Sequence, residues 1–333
     1  MPLKRYYRWP WFIIIICLLL LLGIVYMLAM PGKSYRGPFL PLTVLEEEIV
    51  KRTKKHIHVL AQEIGERNLW HESNLFAAAD YIEKEFKSLG YQVVSQEYLS
   101  QNKPVKNIIA EHRGLTLPDE VIIIGAHYDT VFGSPGADDN GSGIAALLEL
   151  ARLLKGHQTN KTVRFVAFVN EEPPFFQTHE MGSFYYANSL KENNIQVVAM
   201  LSLESIGYYS TAKHSQNYPF PFSYFYPDTA DFIGFVANFS SRNLLQRTIA
   251  LFRKHSAFPS EGLAAPSSVT GIGWSDQWAF WQNGYPGIMV TGTALFRNPN
   301  YHRASNLPNT IDYPRLARVI YGLYKVILDL SER

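Results

Sequence analysis

A chain of 333 residues, 47% hydrophobic and 18% charged, has room for one sizeable domain and enough apolar mass to bury a core. The formal net charge of +2 is unevenly placed: five of the 31 basic residues and none of the 29 acidic ones fall within residues 1–36. The chain beyond residue 36 is mildly acidic without a basic stripe, which argues against nucleic acid as a partner, and the lone cysteine, Cys17, excludes an internal disulfide or a cysteine-built metal site.

Residues 11–30 (WFIIIICLLLLLGIVYMLAM) carry no charge, and about twenty helical residues span a hydrocarbon core of about 30 Å. Tyr6, Tyr7, Trp9 and Trp11 at one end and Tyr26 at the other suit interfacial anchors. The run is longer than the 7–15 residues or so of a signal-peptide core, and the cleavage signal near Ala29 is poor, so the sequence predicts an uncleaved single-pass helix. Lys4, Arg5 and Arg8 outnumber Lys33 and Arg36, which places residues 1–10 in the cytoplasm and the remainder in a periplasmic, extracellular or lumenal space.

Residues 31–44, rich in Pro and Gly, read as a linker to a single domain over 45–333. Helical spacing marks 45–60 and 75–89, the latter stopped by Gly90. Apolar strands then alternate with helices: strands at 121–127, 163–170, 197–204 and 286–293, helices near 143–154, 182–190, 240–255 and 314–330. That alternation predicts a three-layer α/β sandwich with a mostly parallel central sheet. The aromatic, proline-rich stretch 208–232 has no clean period and reads as a surface insertion or as the wall of a substrate pocket.

Ligands of open α/β sheets bind at the carboxyl ends of the strands. There the sequence places His127 and Asp129 (GAHYDT), Asp138 and Asp139 (GADDNGSG), Glu171 and Glu172 (FVNEE), Glu204 (LSLES) and His302 (NPNYHRAS). Singly each has a bland reading: a structural histidine, a solvated turn, a helix cap. Together they pack like charges that need cations or protons for balance. Two imidazoles with several carboxylates and no thiolate suit zinc, and the count suits two divalent ions bridged by one carboxylate. Side chains of adjacent residues at a strand end diverge, so one glutamate of the pair can bind metal while the other acts as general base.

These motifs, with SDQWAF at 275–280 and YHRASN at 301–306, occur in the order found in the M28 metallopeptidases, which the chain resembles over about residues 45–330. The resemblance implies that Asp139 bridges two zinc ions, that His127 and Glu204 complete one site and Glu172 and His302 the other, that Glu171 is the general base, and that Asp129 orients His127. Glu204 stands where aspartate is commoner, and Pro173, Pro174, Phe175 and Phe176 replace a glycine-rich turn. The resemblance further implies peptide substrates and an exopeptidase, most simply an aminopeptidase; the aromatic residues Phe175, Phe176 and Tyr208 of this chain would suit an apolar substrate side chain. Its other branches leave open a carboxypeptidase, with Arg297 or Arg303 as carboxylate clamp, a glutaminyl cyclase-like enzyme, or an inactive binding ectodomain.

Overall fold

A computed structural model describes the backbone of residues 9–332 and side chains from residue 12. The first helix, α1 (Trp9–Leu28), covers most of the expected transmembrane run and exposes its leucines and isoleucines. Among the described residues, however, no helix is long and apolar enough to cross a membrane, so the expected span is not established there. The predicted cytoplasmic segment 1–10 lies almost wholly outside the described residues.

Helix α2 (Val44–His58) begins on a capping box in which the Thr43 hydroxyl accepts from the Glu46 amide and the Glu46 carboxylate accepts from the Thr43 amide. It widens into a π-helical turn, Val59–Ile64, that stops at Gly65. Helix α3 (Glu72–Ser88) comes after it. Next are β1 (Val93–Ser100), β2 (Lys103–His112) and β3 (Leu117–His127), then α4 (Gly141–Lys155), β4 (Lys161–Phe168), α5 (Gly182–Glu192) and β5 (Gln196–Glu204). The C-terminal third adds β6 (Ile233–Ala237), α6 (Arg242–His255), β7 (Ser260–Ala264), α7 (Gln277–Gln282), β8 (Gly287–Thr291), α8 (Ala294–Arg297) and α9 (Tyr313–Glu332).

Eight strands form one sheet in the order β1-β2-β4-β3-β5-β8-β6-β7. The four central strands, β4-β3-β5-β8, are parallel, but β1, β2 and the β6–β8 pairing are antiparallel, so the sheet is mixed rather than mostly parallel. At the β1–β2 edge the cause is local: Gln101 and Asn102, both at positive φ, turn β1 straight back into β2 as a two-residue hairpin.

Strand β3 shows why the central strands read as unbroken apolar runs. Ile122 and Ile124 face a core shared with α2, α3, α4 and α9, while Val121 and Ile123 face a second core shared with α5 and α7. Alternate residues of one strand thus serve opposite layers, and both faces of the sheet are covered.

Candidate metal centre

The parallel strands all point their carboxyl ends at one edge, and the chemically active residues collect there. His127 ends β3 and Glu204 ends β5; Glu171 and Glu172 lie a few residues past β4, and His302 lies past β8 on a loop. Asp139 comes from the turn before α4. His127 Nε2 lies 3.4 Å from Asp139 Oδ1 and 3.4 Å from Glu204 Oε2. His302 Nε2 lies 3.2 Å from Asp139 Oδ2 and 3.4 Å from Glu172 Oε2. Asp139 therefore offers one oxygen to each imidazole, and the five side chains form two donor groups that share it.

These spacings suit a cation. Zinc bonds of about 2.0–2.1 Å in tetrahedral array put neighbouring ligand atoms roughly 3.3–3.4 Å apart. His127 Nδ1 sits 3.2 Å from the backbone oxygen of Asp129, which places its proton there and leaves the Nε2 lone pair facing the carboxylates. His127 Nε2 and Glu172 Oε1 are buried without a hydrogen-bond partner in the protein. Charge tells the same story. Burial, then repulsion from Asp139, pushes the Glu172 carboxyl up to about 7, and burial pushes Glu171 well above its usual range with help from Glu172 and Glu204. Burial favours a neutral His302 ring, yet its bonds to Asp139 and Glu172 outweigh that and lift it to about 10. Protons are doing here what a divalent ion does better.

Glu171 is in neither donor group. Its Oε2 stands 3.8 Å from His127 Nε2, within the centre but off both ligand sets. Asp129 has a second part beside the one expected of it. Its Oδ1 lies 3.5 Å from His127 Nδ1, and the same carboxylate accepts the Glu171 amide at Oδ1 (3.1 Å) and the Glu172 amide at Oδ2 (3.0 Å). It therefore also fixes the backbone of the glutamate pair.

Several residues hold the centre in place, and of these Arg67 carries no sequence signal of its own. Arg67 is fully buried and donates to the carbonyls of Leu60, Gly65, Tyr128, Pro135 and Gly136, tying the π-helical turn to the loops that hold Asp129 and Asp139. Asp138 is no ligand: it accepts from the Gly207 amide and from Asn298 Nδ2, while its own amide donates to Asn306 Oδ1. It thereby latches the Asp139 turn to the loop that carries His302. The Asn140 side chain accepts from the Gly143 and Ser205 amides, and a Cβ at Gly143 would lie 2.3 Å from that oxygen. Glu204, one methylene longer than aspartate, is steadied at both oxygens by the hydroxyls of Ser205 and Ser275, each at 2.8 Å.

A cavity of about 110 Å³ opens beside Glu204 and Tyr301. Its walls include Tyr218, Phe222, Tyr226 and Phe232 from the aromatic stretch, with Trp274 and Phe296 opposite. Of the aromatic residues singled out in the sequence, Phe175 is buried and stacks on Trp70, Phe176 packs edge to face on the lining residue Trp274, and neither they nor Tyr208 line this cavity. Arg297 donates to Gln216 and to the Phe232 carbonyl, keeps a buried Nη2 without a partner, and does not line this cavity.

An α/β sheet with paired histidine–carboxylate groups at its carboxyl edge has the donor set of a metal-dependent enzyme. The chain belongs to peptidase family M28, whose model matches residues 107–327. It is similar to the uncharacterized protein YfbL of Escherichia coli (strain K12), 38% identical over 288 residues, covering 84% of this chain and 88% of that one. It is 39% identical to aminopeptidase YwaD of Bacillus subtilis (strain 168) over 97 residues, covering 28% of this chain and 20% of that one. Among solved structures, BSAP, a zinc aminopeptidase from Bacillus subtilis, shares the fold at a TM-score of 0.69 and 16% identity, covering 89% of this chain and 97% of that one. Fimbriiglobus ruber glutaminyl cyclase does so at 0.64 and 20%, covering 90% and 99%.

Proposed function

We propose that the protein is an exopeptidase of the aminopeptidase type, working with two divalent ions, most simply zinc. The observation that carries this reading is Asp139, which turns one oxygen to each histidine while Glu171 stands inside the centre unused as a ligand. His127, Asp139 and Glu204 would hold one ion, and Asp139, Glu172 and His302 the other. Divalent ions held there supply Lewis-acid polarisation of a carbonyl and a water acidic enough to lose its proton near neutral pH. Glu171 Oε2 accepts that proton and returns it to the leaving amine. Asp129 keeps the Glu171 backbone from drifting while the side chain cycles. The aromatic cavity beside Glu204 takes the substrate side chain and excludes water around it.

Metal analysis of the purified full chain, paired with hydrolysis of an aminoacyl-chromophore panel, tests this. Two equivalents of zinc and chelator-sensitive cleavage are expected. Glu171→Gln should lower turnover by about 10²–10⁴-fold with both equivalents retained. Loss of metal in that variant would refute the base assignment, and metal without cleavage would shift the reading to cyclase substrates.

We also propose that α1, with the residues preceding it, anchors the chain in a membrane with the catalytic domain on the far side from the N-terminus. Supporting this, residues 11–30 carry no charge, and Phe12, Leu19, Leu20 and Leu21 are each 60% or more exposed, which is unfavourable in water. Release of the chain from membranes by alkaline carbonate, without detergent, would overturn it.

A further inference from the structure

The segment that leaves α1 is bound to the domain rather than slack. Arg242 Nε donates to the Tyr26 carbonyl at 2.9 Å with its guanidinium 4.0 Å from the Tyr26 ring, and Gln246 Nε2 donates to the Ala29 carbonyl at 3.0 Å. Arg253 Nη1 donates to the carbonyls of Pro31 and Gly32. The Ser260 amide donates to Ser34 Oγ at 2.9 Å, and the rings of Tyr26 and Phe239 lie 5.8 Å apart. The end of α1 is thus seated on α6 and on the edge strand β7.

Two chemistries surround that seat. Helix α6 carries Arg242, Arg247, Arg253 and Lys254 and no acidic residue. Arg253 is largely buried against Ser260 and the Pro31 and Gly32 carbonyls and Lys254 pairs with Asp329, which leaves Arg247 and the exposed edge of Arg242 as the cations beside the seat. On the other side, Phe220 is 83% exposed, Tyr224 77% and Phe225 48%. This aromatic loop is close to the seat: Tyr226 Oη donates to the Gly262 carbonyl, and a Cβ on Gly262 would lie 2.8 Å from Met30 Cγ. Only the backbone of β7 separates the loop from the segment leaving α1.

We propose that this face, made of α6, the end of α1 and the 220–225 loop, rests on the surface of an anionic lipid bilayer, and we rest this on the reading of α1 as an anchor. A seat formed within a few residues of Leu28 leaves no free tether, so the domain meets the bilayer in one orientation. Arg247 and Arg242 then face anionic headgroups, and the aromatic rings occupy the interface. Phe222 and Tyr226 of the same loop line the cavity beside Glu204, so the cavity wall is itself held by the membrane.

The test uses the full chain with Cys17→Ser, carrying one fluorophore on Tyr224→Cys or, as control, on Leu99→Cys in β1, the opposite edge of the sheet. Both sites are exposed, so labelling should not disturb the core. In anionic vesicles with headgroup-quencher lipids, the label at 224 should be quenched at least threefold more than the label at 99 and be shielded from aqueous iodide. Arg247→Glu should shrink that difference in anionic but not in zwitterionic vesicles. Equal quenching and equal iodide access at 224 and 99, in a chain that floats with the vesicles, overturns the docked face and leaves the anchor standing. A chain that does not float overturns both.

Discussion

Asp129 accepts two consecutive backbone amides, and a carboxylate is the one side chain of that size with two acceptor oxygens. In Asp129→Asn one oxygen becomes an NH2 that must face an amide donor. The glutamate pair should shift, and metal affinity and turnover should fall by about 10–100-fold, a range common for residues that position ligands. Isothermal titration of zinc into the apo variant checks this; unchanged affinity and turnover would mean the two amides are held without it. Arg67→Met leaves five carbonyls, three of them in buried hydrogen bonds, short of a donor and should cost roughly 3 kcal/mol in chemical denaturation, from the loss of a hydrogen-bonded buried charge. The ligand candidates were legible in the sequence because imidazoles and carboxylates at the ends of apolar strands have few other reasons to gather. Arg67 was not: its partners are main-chain oxygens, most of them more than sixty residues away, and main-chain oxygens leave no mark on a sequence.

At the level of elements, Glu149 on α4 shows how the helical layer is pinned. It is fully buried and meets Arg52 Nε of α2 at 2.6 Å, Arg152 Nη2 at 2.9 Å and His56 Nε2 at 3.8 Å. Burial raises its pKa, but the bonds to His56, Arg152 and Arg52 outweigh that and hold it below the usual carboxylate value. A folded-state pKa below the unfolded one contributes stability above the unfolded value, about 4.3, and that contribution is lost as pH falls through the folded value. Glu149→Gln should therefore be less stable at pH 7, by about 3 kcal/mol, and should lack that part of the wild-type decline in acid. Parallel denaturation curves for the two proteins at pH 7 and in acid decide it; a constant gap between them would exclude the linkage. The missed elements have more than one cause. β1 and β2 mix polar residues with apolar ones, and β6, β7, α7 and α8 are four to six residues each, too short for a period to emerge. The long helices and the central strands were legible because they bury whole faces, and β8, though as short as β6, was legible because all five of its residues are buried.

The whole molecule joins its first helix to its pocket through residues that read as a linker. The stretch 31–44 is rich in Pro and Gly, yet Pro31 and Gly32 are bound by Arg253, Ser34 by the Ser260 amide, the Leu40 carbonyl by Arg318, and Phe39 stacks on Phe258 at 5.5 Å. Composition signals a lack of helix; it does not signal a lack of contacts, because main-chain carbonyls serve arginines whatever their side chains are. A chain that begins at Tyr35 forfeits the contacts of Tyr26, Ala29, Pro31, Gly32 and Ser34 with α6 and β7. At roughly 0.5–1.5 kcal/mol per hydrogen bond, less the entropy regained by the freed segment, the net loss should be about 2–3 kcal/mol. Relative to a chain beginning at Val25, Tm should drop by about 3–5 °C. Because Glu261, Gly262 and Leu263 of β7 line the cavity, the shorter chain should also show a raised KM for substrates with bulky apolar side chains and a smaller change for alanyl ones. Calorimetry and the substrate panel on the two chains separate the effects. Equal Tm and equal KM ratios would mean that the segment merely lies against the domain, whereas a lower Tm with unchanged ratios would confine its part to stability.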